Sequence, residues 1–165
     1  MLGYFLAISA CLWLLIGLCW APNRSEASSQ HKVPSVSCNA GCLVKKDGLL
    51  LAVKTVKSGK WDIPSGKPEG DETSAQTAMR ETLEETGIKV KAIRLLEDFE
   101  DEFHLYECHI EELSAQSLQN PLNVPSSALH EIEEVALIDI HTLTSANTRF
   151  PSILPRIKSL FKTLS

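Results

Sequence analysis

A chain of 165 residues with a formal net charge of −5 and 44% apolar residues can bury one sizeable core and is short for two domains. Its acids are concentrated: residues 66–87 carry six against two bases, and residues 97–112 carry eight and no lysine or arginine. No basic stripe is present to follow a phosphate backbone, which excludes a nucleic-acid polymer as partner.

Residues 1–21 contain no charged side chain and as a helix would reach roughly 30 Å, enough to enter a membrane. Residues 1–27 therefore read as a signal peptide or a membrane anchor. The lack of a basic residue before the apolar run counts against cleavage, whereas Ser25 and Ala27 place small residues before a possible new start at Ser28. Cleavage would give an exported protein, periplasmic or secreted. An uncleaved chain would stay anchored through residues 2–20, and Arg24 and Lys32 would favour a cytoplasmic domain. Residues 28–37 are polar and aperiodic, a linker to a domain at 38–165. Three cysteines fall in that domain, Cys38, Cys42 and Cys108. An exported domain would join two of them, with the pairing open. A zinc site from Cys38, Cys42 and His104 or His109 lacks a second paired motif.

From residue 40 the pattern is that of strands. Residues 40–46 and 49–56 are aliphatic runs joined at Asp47-Gly48, a short-hairpin signal. Trp61, before the turn that leads to Gly66, is a candidate substrate contact, with a core position as the alternative. A helix over 74–86 follows: Thr73 can cap it, Gln76 completes a capping box, and Gly87 supplies a left-handed stop. Ala75, Ala78, Met79, Thr82 and Thr86 share its sheet-facing side. Glu81, Glu84 and Glu85 gather on the neighbouring side, where like charges repel by a few tenths of a kcal/mol per pair. The helix C-terminus is also unfavourable for the Glu85 anion. An all-oxygen cluster of this kind suits a hard divalent cation, Mg²⁺ or Mn²⁺. Beyond it, strands are expected at 89–96 and 103–110 around an acidic turn at 97–102. A long loop over 114–130 precedes Glu131, Glu133 and Glu134 and a strand at 135–140. Residues 151–164 carry Ile153, Leu154, Ile157, Leu160, Phe161 and Leu164 at helical spacing, a face to pack on the sheet.

Gly66, Glu72, Arg80, Glu81, Glu84, Glu85, Gly87 and Ile88 together fall on the spacing of the Nudix box, so the chain resembles the Nudix hydrolases. Thr82 stands where relatives usually have an aliphatic residue, and Ser65 where they commonly have glycine. The resemblance implies an α/β/α sandwich around a mixed sheet. It implies a metal-dependent hydrolase cleaving a diphosphate linkage in a nucleoside-diphosphate-type or other small molecule. Glu81, Glu84, Glu85 and the Gly66 carbonyl would hold the metal. Glu84 would serve as base and Arg80 would orient the glutamates. Glu72 would secure the loop to the helix through Arg80, and Glu133 or Glu134 is a downstream candidate for the metal or base role. Two rivals share the fold. An isoprenoid-diphosphate isomerase would need Cys42 or Cys108 as a catalytic thiol, and a non-catalytic ligand-binding module usually lacks box glutamates. Substrate identity and oligomeric state are left open by the residues.

Overall fold

The computed structural model describes residues 37–100, 102–112 and 120–165. The chain divides into two units, Met1–Gln30 and His31–Ser165, and every described residue belongs to the second. The expected leader over 1–27 and most of the 28–37 linker lie outside the described residues. Among the described residues no helix is long and apolar enough to cross a membrane.

Strands β1 (Asn39–Lys46) and β2 (Leu49–Thr55) form the expected hairpin. Asp47 and Gly48 take φ of 51° and 81°, the left-handed pair that a two-residue hairpin turn requires. The short strands β3 (Trp61–Asp62) and β4 (Ser65–Gly66) come next, then helix α1 (Ser74–Thr86), β5 (Lys89–Phe99), β6 (Phe103–Glu112), β7 (Ile132–Ile138) and helix α2 (Leu154–Lys162). β1 is the hub. It runs parallel to β6 from Asn39↔Phe103 to Val44↔Cys108, antiparallel to β4 through Ala40↔Gly66, and meets β2 at its far end. β5 extends the sheet antiparallel to β6, while β2 also pairs with β3 and β7.

The two-residue period of β1 separates two cores. Ala40, Cys42 and Val44 join Ala75, Ala78, Tyr106 and Val135 under α1. Leu43 joins Leu50, Leu105, Leu154, Ile157 and Phe161 under α2. The result is the α/β/α sandwich expected from the sequence. Helix α1 has the anticipated limits because its ends are chemically marked: both halves of the Thr73–Gln76 capping box are formed, and Gly87 closes it at φ 71°. Thr82 tolerates the buried helix face by donating its hydroxyl to the Ala78 carbonyl at 2.7 Å.

Boundaries differ where side chains intervene. β5 continues through Glu97 to Phe99 because its pairing with β6 persists across bulges and Arg156 of α2 pairs with Glu97. β7 stops at Ile138, two residues short of expectation, since Asp139 accepts the His141 amide at 2.9 Å and starts a 3-10 turn. Cys42 and Cys108 are joined as a disulfide between β1 and β6, which removes Cys42 from any zinc set. His104 is buried with its Nδ1 2.7 Å from the Ser74 hydroxyl, which also lies 2.7 Å from the Tyr106 hydroxyl. That chain pins the first residue of α1 to β6.

Candidate active site

The site is built where the loop after β4 meets the outer side of α1, and Arg80 is its fastener. Its Nε donates to Glu72 Oε1 at 2.9 Å and its Nη2 to the Lys67 carbonyl at 2.7 Å, binding the loop to the helix. Nη1 donates to Glu84 Oε2 at 2.8 Å, and Nη2 lies 3.1 Å from Glu81 Oε1. One guanidinium thus answers three of the box carboxylates, a use of its planar fork that lysine could not reproduce. The hydrogen bond from Arg80 lowers the Glu72 pKa, and the reciprocal bond raises that of Arg80.

Glu81 and Glu85 converge on the backbone of β4. The Ser65 amide donates to Glu85 Oε2 at 3.0 Å, and a Cβ on Gly66 would overlap the Glu81 carboxylate. A Cβ there would push that carboxylate aside, so glycine is what lets Glu81 sit against β4. Burial pushes the Glu85 carboxyl up to about 8 against the Ser65 amide, with the Glu81, Asp62 and Glu131 charges adding to the rise. Burial also raises Glu81, with Arg80 opposing. Desolvated oxygens held together in this way fit Mg²⁺ or Mn²⁺, hard cations that take oxygen donors.

Glu84 is placed differently. Its carboxylate is 54% exposed and turned to Arg80, and among the described residues no three acidic, histidine or cysteine side chains stand at metal-binding spacing. Glu133 also lies apart, paired with Lys54 at 2.9 Å on the β2–β7 surface. Trp61 packs against the α2-side core, and its strand is bridged to Thr148.

A cavity of about 860 Å³ opens beside Gly66, within the size range of small-molecule sites. Glu81, Glu85, Glu131, Lys57, Lys67, Arg149, Phe103 and Phe150 are among the residues that line it. His130 pairs with Glu131 at 2.8 Å. Burial pushes the Asp62 carboxyl up to about 6, while Arg149 draws it down. Sequence reasoning passed over Glu131, Arg149, Phe150 and Asp62. The available signal was an adjacent Arg-Phe pair just before an amphipathic helix, unexplained by either core.

Residues 38–157 match the sequence profile of the NUDIX domain. The chain belongs to the Nudix family. A MutT-like protein from Streptomyces ambofaciens is 45% identical over 73 residues, which are 44% of this chain and 47% of that protein. The match thus spans about half the length of that relative. Among solved Nudix structures, a hydrolase from Nitrosomonas europaea superposes with a TM-score of 0.59 at 23% identity, covering 78% of this chain and 72% of that one. An ADP-ribose pyrophosphatase from Streptococcus suis superposes at 0.58 with 13% identity, covering 76% and 90%. Both likenesses are of fold.

Proposed function

We propose that this Nudix protein hydrolyses a diphosphate linkage in a small molecule with the aid of Mg²⁺ or Mn²⁺. The observation that carries the reading is the seating of two desolvated carboxylates, Glu81 and Glu85, on the β4 backbone in a cavity that Lys57, Lys67 and Arg149 also line. A divalent ion held there supplies Lewis-acid polarisation and lowers the pKa of water. Arg80 keeps Glu81 and Glu84 in place, and Glu72 fixes the loop through it. Glu131, lining the cavity and paired with His130, is better placed than Glu84 or Glu133 to accept the proton of an attacking water. A nucleoside-diphosphate-type substrate is supported by Phe103 and Phe150 in the cavity lining, whose rings can receive a planar group.

The isomerase alternative calls for a thiolate, and Cys42 and Cys108 are bonded to each other beneath α1. A buried disulfide also accords with an exported domain, for which oxidising conditions are the rule. The test is release of phosphate-bearing products from a panel of nucleoside, sugar and lipid diphosphates, with Mg²⁺, with Mn²⁺ and with chelator. Hydrolysis that requires metal and is lost in Glu85→Gln supports the reading. Tight binding of one compound with no cleavage would favour the ligand-binding module instead.

A further inference from the structure

One of the cations that line the cavity is built to a tighter specification than a surface charge. Asp62 is 9% exposed, and a buried carboxylate is costly unless its oxygens are engaged. Its Oδ1 accepts the Ile63 amide at 2.9 Å and its Oδ2 accepts Arg149 Nη1 at 3.2 Å. The Arg149 guanidinium carbon lies 4.9 Å from the centre of the Phe150 ring, a stacking arrangement that restrains the plane of the fork. The backbone is held as well: the Trp61 amide donates to the Asn147 carbonyl at 2.8 Å, and the Arg149 amide to the Trp61 carbonyl at 2.9 Å.

An arginine fixed in this manner has donors to spare. A guanidinium offers five N–H groups, and the bond to Asp62 is the one hydrogen bond its side chain makes among the described residues. The side chain is 49% exposed and the residue lines the same cavity as Glu81 and Glu85. Lys57 and Lys67, also lining it, form no ion pair among the described residues. Once a cation neutralises Glu81 and Glu85, Lys57 and Lys67 add positive charge to the lining that Arg149 shares.

We propose that Arg149, seated on buried Asp62 and stacked on Phe150, is the substrate-binding residue that takes the phosphoryl group not held at the Glu81–Glu85 wall. The assignment rests on the diphosphate reading above. It makes Asp62 a positioning residue, acting through the arginine.

Isothermal titration of the metal-loaded protein with methylenediphosphonate, a diphosphate analogue whose bridge cannot be hydrolysed, tests this without turnover. Arg149→Gln is expected to weaken binding at least tenfold and, with a cleavable diphosphate, to raise KM more than it lowers kcat. Arg149→Lys recovers only part of the affinity, because a point charge replaces a fork. Asp62→Asn keeps the shape but not the anchoring charge and falls between wild type and Arg149→Gln. The pair Asp62→Asn with Arg149→Gln, which leaves no unpaired buried carboxylate, must bind as weakly as Arg149→Gln while melting near wild type. Binding by Arg149→Gln within twofold of wild type, alongside loss in Glu85→Gln, overturns this assignment alone. A wild-type protein that neither binds the analogue nor cleaves any diphosphate sinks the functional reading, and the role of Arg149 with it.

Discussion

Helix α2 covers its face of the sheet with Leu154, Ile157, Phe161 and Leu164 set against Leu43, Leu50 and Leu105, an almost wholly aliphatic and aromatic closure. Helix α1 covers the opposite face with small side chains and is fastened by polar links instead. These are the Thr73–Gln76 box, the Ser74 contacts to His104 and Tyr106, the Thr77 bond to Glu72 and the Arg80 fan. Among the described residues no buried side-chain nitrogen or oxygen lacks a hydrogen-bond partner. The contrast teaches that a helix whose task is coverage can be held by non-directional burial. A helix that must present carboxylates at set positions needs directional bonds at both ends and along its length.

Substitutions on the two faces should separate these roles. The largest effect is expected for Glu85→Gln, which should lower turnover by about three orders of magnitude, since metal charge stabilisation is worth several kcal/mol. The same variant should stabilise the metal-free protein at alkaline pH. The folded Glu85 holds its proton up to about 8, whereas an unfolded carboxyl releases it near its ordinary 4.5. The folded state therefore binds more protons between those values, and metal-free stability is full below about 4.5 and falls as pH rises towards 8. Urea titrations across that range should show the slope in wild type and its flattening in the variant. An unchanged slope would place the electrostatic stress elsewhere.

Reducing Cys42–Cys108 opens a 66-residue separation and should cost about 4 kcal/mol, read as a drop in the denaturation midpoint under reductant. Ile157→Ala, on the α2 side, should cost about 3 kcal/mol and leave turnover per folded molecule within twofold. A matching loss of kcat would erase the distinction between the faces. The smallest change is expected for Gly87→Ala. A Cβ there meets only Pro125 at an ordinary 3.5 Å, so the penalty is the left-handed backbone alone, about 1 kcal/mol.

What was legible in the sequence is what local chemistry decides. Helix α1 was readable to the residue because Thr73, Gln76 and Gly87 mark its ends, and the first hairpin because Asp47-Gly48 demands positive φ. The Arg80–Glu72 link was readable from box spacing. The direction of Glu84 was not, since helical position gives a face and the nearer guanidinium determines where the carboxylate turns. The position of Glu133 was not legible either: Lys54, close only through β2–β7 pairing, holds its carboxylate at 2.9 Å. Arg149 and Asp62 are 87 residues apart in sequence, and no local pattern announces their meeting.

Trp61 and Asp62 brace Arg149, and the chain reaches Ser65 and Gly66, against Glu85 and Glu81, only a few residues later, through the fully buried Pro64. At ~3.5 Å per residue, the tether from Asp62 to Gly66 cannot exceed roughly 14 Å. The distance between the anchor of Arg149 and the seat of the two glutamates is thus bounded by covalent length, and an insertion between Ile63 and Ser65 would reset it.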